Sequence, residues 1–302
     1  MQKTIVGVGE ILWDLIGDEK HLGGAPANFA YHAGALGDLG IPAGRIGHDR
    51  LGDAIRAVLR PLGVPLDYVQ VDRRLPTGTV LIKLSASGQP TFTITPDVAW
   101  DNLRPTLRLL RLAREADAVC FGTLAQRSPT SRRTIRRVVA AAQKALVICD
   151  LNLRAEFLAL DPDDGERMDI VERSLEMAHV LKLNDDELCI LRRALEWNGS
   201  DDAFLLRLIR EFGLRMVCVT LGARGCILRT PRQRVRAAGR KVRVADTVGS
   251  GDAFTAAMVN RLLRRRPLAE VARFANRLGA YVASRSGATP PLDGFPRRRT
   301  AR

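Results

Sequence analysis

Five short apolar runs constrain this chain more than any other feature: TIVGVG (4–9), AVCFG (118–122), ALVICD (145–150), HVLKLN (179–184) and MVCVTLG (216–222). They are partly β-branched and almost uninterrupted by polar residues, the pattern of strands covered on both faces in a parallel sheet. Between them the period changes to that of a helix. DRLGDAIRAVLRPLG (49–63) sets Leu51, Ile55, Val58, Leu59 and Leu62 on one side. Repeated strand–helix units predict an α/β chain with a doubly wound, mostly parallel sheet and helices on both faces. Ligands of such sheets bind beyond the strands' C-terminal ends.

One segment breaks the rhythm. TGTVLIKLSASGQPTFTIT (77–95) alternates at Val80, Ile82 and Leu84, turns at SASGQP, and alternates again at Phe92 and Ile94. An antiparallel hairpin does not join a parallel sheet easily, so a separate small sheet is expected. It can serve either as a water-excluding lid or as a plain surface hairpin.

Composition removes several function classes. With 302 residues, 46% hydrophobic and 26% charged, the chain suits one large soluble domain. No run approaches the roughly 20 apolar residues that span a bilayer, and the N-terminal MQKTIVGVGEILWD lacks a cleavage pattern. The five cysteines form no C-x-x-C pair, as expected of reduced thiols in a cytoplasmic protein. A net charge of +14 raises nucleic-acid binding, but most arginines are dispersed along helices and only the tail RRRTAR is a compact block, so no specific nucleic-acid partner is expected. Phosphate-loop, protein-kinase, zinc-protease and serine-hydrolase signatures are all missing, and His21, His32, His48 and His179 have no ligand spacing.

DTVGSGDAF (246–254) is the most suggestive stretch. VRV (242–244) before it alternates like a strand, and Phe254, Met258 and Leu262 after it keep a helical period. A junction of that kind offers unpartnered first-turn N–H groups and the positive end of a helix dipole. Read alone, the stretch is equally a phosphate cradle or a tight loop in which Asp252 caps a helix.

Two long motifs, GGAPANFAYHAGALG (23–37) and DTVGSGDAFTAAMV (246–259), are accompanied by an ordered series: GEILWD ahead of the first, and RIGHDRLG, PDVAWDN, FGTLAQRS, DLNLR, KLNDDEL and VTLGARG between the two. Over nearly its whole length the chain thereby resembles the PfkB or ribokinase family of carbohydrate kinases, most of all bacterial fructokinases. The resemblance implies a single ribokinase-like domain over 1–302, with a lid from about 12–22 and 75–97. It also implies ATP-dependent phosphorylation of a small-molecule sugar, with D-fructose favoured by GEILWD, GGAPANFAYH and PDVAWDN. Ribokinase, 2-keto-3-deoxygluconate kinase and nucleoside kinase remain alternatives within the class, and a basic nucleic-acid-associated protein on a kinase-like scaffold is the alternative outside it.

Residue by residue, the resemblance makes Asp252 the general base and the Gly249, Ser250 and Gly251 amides the anion hole, with serine where most members carry alanine. A weak base there suffices for a loose phosphoryl-transfer transition state. Asp14, Gly23, Gly24 and Asn28 become sugar contacts, and Arg154 a clamp on nucleotide phosphates. Asp150 and Asn152 fall beside those phosphates. Asn184 and Glu187 become positioners of Mg²⁺ and phosphate, Glu187 through water, although N-x-x-E is also a capping-box pattern. Thr220, Gly222, Gly225 and Asn276 border ATP. Asp246, the Val248 carbonyl and Gly287 match a monovalent-cation site, taken as K⁺, although Gly287 also reads as a helix terminator. Family members often pair as homodimers through the lid, which would shield Phe92.

Overall fold

The computed structural model describes residues 1–17, 19–84, 90–153 and 165–296, with 82–84 and 90–92 described in backbone only. All five apolar runs are strands: β1 (Thr4–Val8), β8 (Ala118–Phe121), β9 (Leu146–Asp150), β10 (Val180–Asn184) and β11 (Met216–Thr220). With β4 (Leu39–Gly47), β5 (Val69–Asp72), β12 (Cys226–Arg229) and β13 (Arg234–Ala237) they form a nine-stranded sheet ordered β13-β12-β11-β10-β9-β8-β1-β4-β5. Pairing is parallel from β5 to β11 and antiparallel at β12 and β13.

The strands' two-residue period divides the core. Val6, Val119, Val147, Leu181 and Val217 face one buried cluster, which also takes Leu109 and Ile135 from the helices Leu107–Glu115 and Pro129–Ala141. Ile5, Cys120, Ile148, Val180 and Cys218 face another, with Phe254 and Leu278 from the helices Ser250–Leu263 and Leu268–Ala283. Helices therefore cover both faces, as the unbroken apolar runs require. A third cluster holds Ile55 and Leu59 of the helix Arg50–Leu59. Val58, expected on the same face, is 39% exposed at its edge.

After β1 the chain builds β4 and β5 to one side, then returns to β8 on the other. Strand order reverses around β1, which leaves a crevice past the C-terminal ends of β1 and β8.

The small sheet is separate, as expected: β2 (Leu12–Ile16), β3 (Glu19–Gly23), β6 (Gly78–Leu84) and β7 (Pro90–Ile94), in the order β3-β2-β6-β7. β6 and β7 are the antiparallel hairpin. Most of its SASGQP turn lies outside the described residues, as does the side chain of Phe92. The strand expected at 242–244 is not formed. Val242 and Val244 are 38% and 59% exposed, and among the described residues no neighbouring strand supplies them a ladder. Among the described residues no helix is long and apolar enough to cross a membrane.

Asp72, at the end of β5, ties this edge of the sheet together. Its carboxylate accepts from the Arg74 and Leu75 amides and from Asn102 Nδ2, and pairs with Arg45 at 2.9 Å. Burial raises its pKa, but those donors outweigh burial and bring it down to about 2. A folded pKa below the ordinary carboxylate value stabilises the protein in full above about pH 4, and that contribution disappears as pH falls toward 2. Asp72→Asn should therefore lose on the order of 2 kcal/mol at neutral pH, with the gap to the parent closing below pH 4; urea titrations across pH 2–7 measure it.

Candidate active site

The helix Ser250–Leu263 begins at Gly249, whose φ of 74° is left-handed. A Cβ there would also meet the Ala288 carbonyl oxygen, so glycine is required twice over. Asp252 lies in the helix's first turn, not at its cap. The helix starts from a loop, since 242–244 is not a strand, and the loop is shaped by Asp246. Asp246 Oδ1 accepts from the Val248 amide (2.9 Å) and Oδ2 from the Gly287 amide (3.1 Å). Gly287 itself, at φ 79°, lies past the end of the Leu268–Ala283 helix and does not terminate it.

The helix Ala25–Ala35 brings Asn28 to the same place. Asn28 is buried, and its Nδ2 donates to Asp252 Oδ2 at 2.8 Å, joining residues 224 positions apart. Its Oδ1 is buried with no hydrogen-bond partner among the described residues. Gly24 caps this helix at φ 100°, pressed against the Glu10 carbonyl. Asp14, on β2, has its carboxylate packed against Gly23 so closely that any side chain at 23 would collide with it. Asp252 lines a cleft with Gly7, Pro26, Phe29, Phe121 and Asp150.

On the sheet side, Asn184 ends β10 and caps the helix Asp185–Ala194 in a complete capping box with Glu187. Glu187 Oε2 accepts from the Asn184 amide and Oε1 from the Leu153 amide, and burial pushes its pKa up against the pull of Lys182. Arg154 lies outside the described residues. Thr220 pairs with Asn184 in register across β10 and β11, and is followed by the turn Gly222–Arg224. Gly222 (φ 54°) and Gly225 (φ 99°) are both left-handed, and Gly225 is packed on the Ala237 carbonyl. Asn276 donates to the Ala237 and Ala238 carbonyls at 3.1 and 3.2 Å, bracing that backbone. Arg224 and Asp185 pair across the mouth between turn and helix.

Three residues here were not picked out in the sequence. Lys182, in the buried run HVLKLN, donates to Asp150 Oδ1 at 2.8 Å, and Thr255 donates to Asp150 Oδ2 at 2.8 Å. Burial alone would lower the Lys182 pKa; Asp150, Glu187 and Asp252 outweigh it and hold the ammonium charged. The signal was legible: a lysine in a doubly covered strand demands a buried carboxylate. His32 gave no such signal. It is fully buried, with its pKa lowered by burial to about 4, and its Nε2 donates to Ala288 O at 2.9 Å, supporting the loop beneath Gly249.

The pfkB carbohydrate kinase family model matches residues 9–293. The chain belongs to the pfkB family of carbohydrate kinases. Fructokinase-2 of Solanum habrochaites is 29% identical to this kinase over 310 residues, 95% of this chain and 92% of that one. A sugar kinase of Pyrococcus horikoshii, solved in complex with ATP, superposes with a TM-score of 0.79 at 27% identity, covering 94% of each chain. A double mutant of Vibrio cholerae fructokinase, solved with fructose, ADP and a potassium ion, gives a TM-score of 0.80 at 26% identity over 97% and 96% of the two chains.

The start of this kinase's Ser250–Leu263 helix has little freedom. Gly249→Ala should cost about 1–3 kcal/mol from the left-handed backbone alone, and more from the Ala288 contact. The check is a urea or thermal midpoint compared with that of Ser250→Ala, where no such strain exists and the midpoint should hold.

Proposed function

We propose that this pfkB kinase is a fructokinase, transferring the γ-phosphoryl group of ATP to the 6-hydroxyl of D-fructose. The observation that carries the reading is the Asn28–Asp252 hydrogen bond, because it joins a proposed sugar contact to the proposed base within one first turn of amides.

In this reading Asp252 accepts the proton of the attacking hydroxyl late, as the hydroxyl oxygen closes on the γ-phosphorus. Asn28 keeps the carboxylate aimed, and its Oδ1, without a partner among the described residues, is left for a sugar hydroxyl. Asp14, with Gly23 and Gly24 beside it, binds further hydroxyls. The Gly249 and Gly251 amides, with the Ser250 amide once it leaves its 3.2 Å bond to the Thr247 carbonyl, meet the charge that develops on the transferring group. Arg154 clamps nucleotide phosphates. Thr220, Gly222 and Gly225 form the floor under ATP, and Asn276 holds one wall of the site by its bonds to Ala237 and Ala238.

Mg²⁺ fits this donor set only as an ion carried mainly by phosphate oxygens and water. Among the described residues no group of three or more His, Cys, Asp or Glu could hold a metal, and both Glu187 oxygens already accept one backbone N–H each, which favours contact through water. The ion would neutralise charge between the phosphates. For K⁺, Asp246, the Val248 carbonyl and the loop at Gly287 offer hard oxygen donors next to the amides.

The whole chain acts in this proposal as one domain in the cytoplasm, with the β3-β2-β6-β7 sheet as lid. Leu81, 37% exposed on β6, gives that sheet apolar surface for a second copy, and sedimentation as a dimer at micromolar concentration is expected. Asp252→Asn should lower kcat by about 10²–10⁴ while ATP binding by calorimetry persists; retained turnover would remove the assignment. ADP release over a sugar panel should rank fructose above ribose, 2-keto-3-deoxygluconate and nucleosides. A filter assay across salt should find no nucleic-acid binding at physiological ionic strength.

A further inference from the structure

We infer that Lys182 is a positioning residue for phosphoryl transfer, which holds the Gly251–Asp252 turn through Asp150 and Thr255 and adds its own positive charge beneath the amide cradle. The inference rests on reading Gly249–Asp252 as that cradle.

Four observations meet here. Lys182 is 8% exposed, on a strand whose other residues before the terminal Asn184 are all apolar. Its Nζ donates to Asp150 Oδ1, whose second oxygen accepts from Thr255, one turn after Asp252. Thr255 Oγ1 also lies 3.0 Å from the Gly251 carbonyl oxygen. A Cβ built on Gly251 would stand 3.4 Å from Lys182 Nζ, so the ammonium sits directly against the turn. Strand β9, strand β10 and the helix thus share one buried polar chain.

Stability gives weak reason to keep it. A buried ion pair can often be exchanged for neutral or apolar groups of similar volume without loss, whereas removal of one partner strands the other. Catalysis gives a stronger one. Asp150, Glu187 and Asp252 all lie within electrostatic reach of this one buried ammonium, and an arriving triphosphate brings more negative charge. The transition state spreads charge over three equatorial oxygens, and a fixed cation under the turn opposes that charge without reorganising.

The test separates charge from fold. Lys182→Met, Asp150→Asn and the double variant D150N/K182M are compared with the parent in urea midpoint, kcat, KM, and binding of ADP alone and of ADP with aluminium fluoride, in the presence of the sugar that turns over fastest. K182M should lose about 100-fold in kcat and in ADP–aluminium fluoride affinity, with ADP affinity and both KM values within about threefold. The double variant should regain the urea midpoint without regaining kcat. A double variant whose kcat returns with its midpoint would make the pair merely structural and overturn the inference, as would equal losses of ADP and ADP–aluminium fluoride affinity. Unchanged binding of the fluoride complex by K182M, where the parent prefers it to ADP, sinks Lys182 alone. A parent that binds both alike instead sinks the cradle reading beneath it.

Discussion

Backbone N–H groups at the start of a helix have no partners within it, and a protein that uses them must hold them open against collapse. In this kinase that constraint organises the structure around residue 249. A left-handed glycine lets the helix begin abruptly, and Ala288 fills the space a side chain would need. Asp246 then binds the amides of Val248 and Gly287 together, while His32 Nε2 anchors the Ala288 carbonyl from a different helix. Because His32 is buried and its pKa depressed, it stays neutral through the physiological range and does not place a second charge there. The turn is thus clamped by two loops and a helix before any ligand arrives.

The sheet supports the same turn from beneath. Asp150 and Asn184 end the adjacent parallel strands β9 and β10, at the same C-terminal edge of the sheet as the crevice past β1 and β8. Lys182, two residues before Asn184, points to the face covered by the Ser250–Leu263 helix and meets Asp150, while Glu187 reaches back to the Leu153 amide. One capping box therefore starts a helix and also fixes the segment after β9. The double reading of N-x-x-E is answered in part: the cap is formed, with one backbone N–H on each Glu187 oxygen.

How much of this was legible depended on the range of the interaction. The five apolar strands were plain, because burial on both faces demands unbroken apolar sequence. The odd hairpin was plain because its period differed. Val242 and Val244 misled: alternation is a necessary mark of a strand, but a strand also needs a neighbour, and none adjoins 240–245. Gly249 and Asp252 could be placed near a helix start, but not Asn28 beside them, since that bond spans 224 residues. Asn276 was assigned to the nucleotide border from resemblance, and its bonds to the Ala237 and Ala238 carbonyls could not be read from sequence. Lys182 was visible and passed over. A charge inside a covered strand is a local contradiction, and such contradictions tend to mark sites.

The path of the chain from β2 to the Asn28 helix bears on how a sugar could be sensed. Asp14 leans on Gly23, the last residue of β3, and Gly24 immediately turns into the helix that carries Asn28. No flexible linker intervenes, so a shift of the small sheet toward the crevice is passed within five residues to the amide that holds Asp252. Gly24 cannot absorb it, being fixed at a φ of 100° against the Glu10 carbonyl. Sheet position and the orientation of Asp252 are therefore linked through one short stretch of chain. In the proposed reaction, a sugar that fills the space between Asp14 and Asn28 would bring both into register, and one too short to bridge them would leave Asp252 misaimed even with ATP in place. Selectivity in such a design resides less in any single contact than in whether the sheet closes.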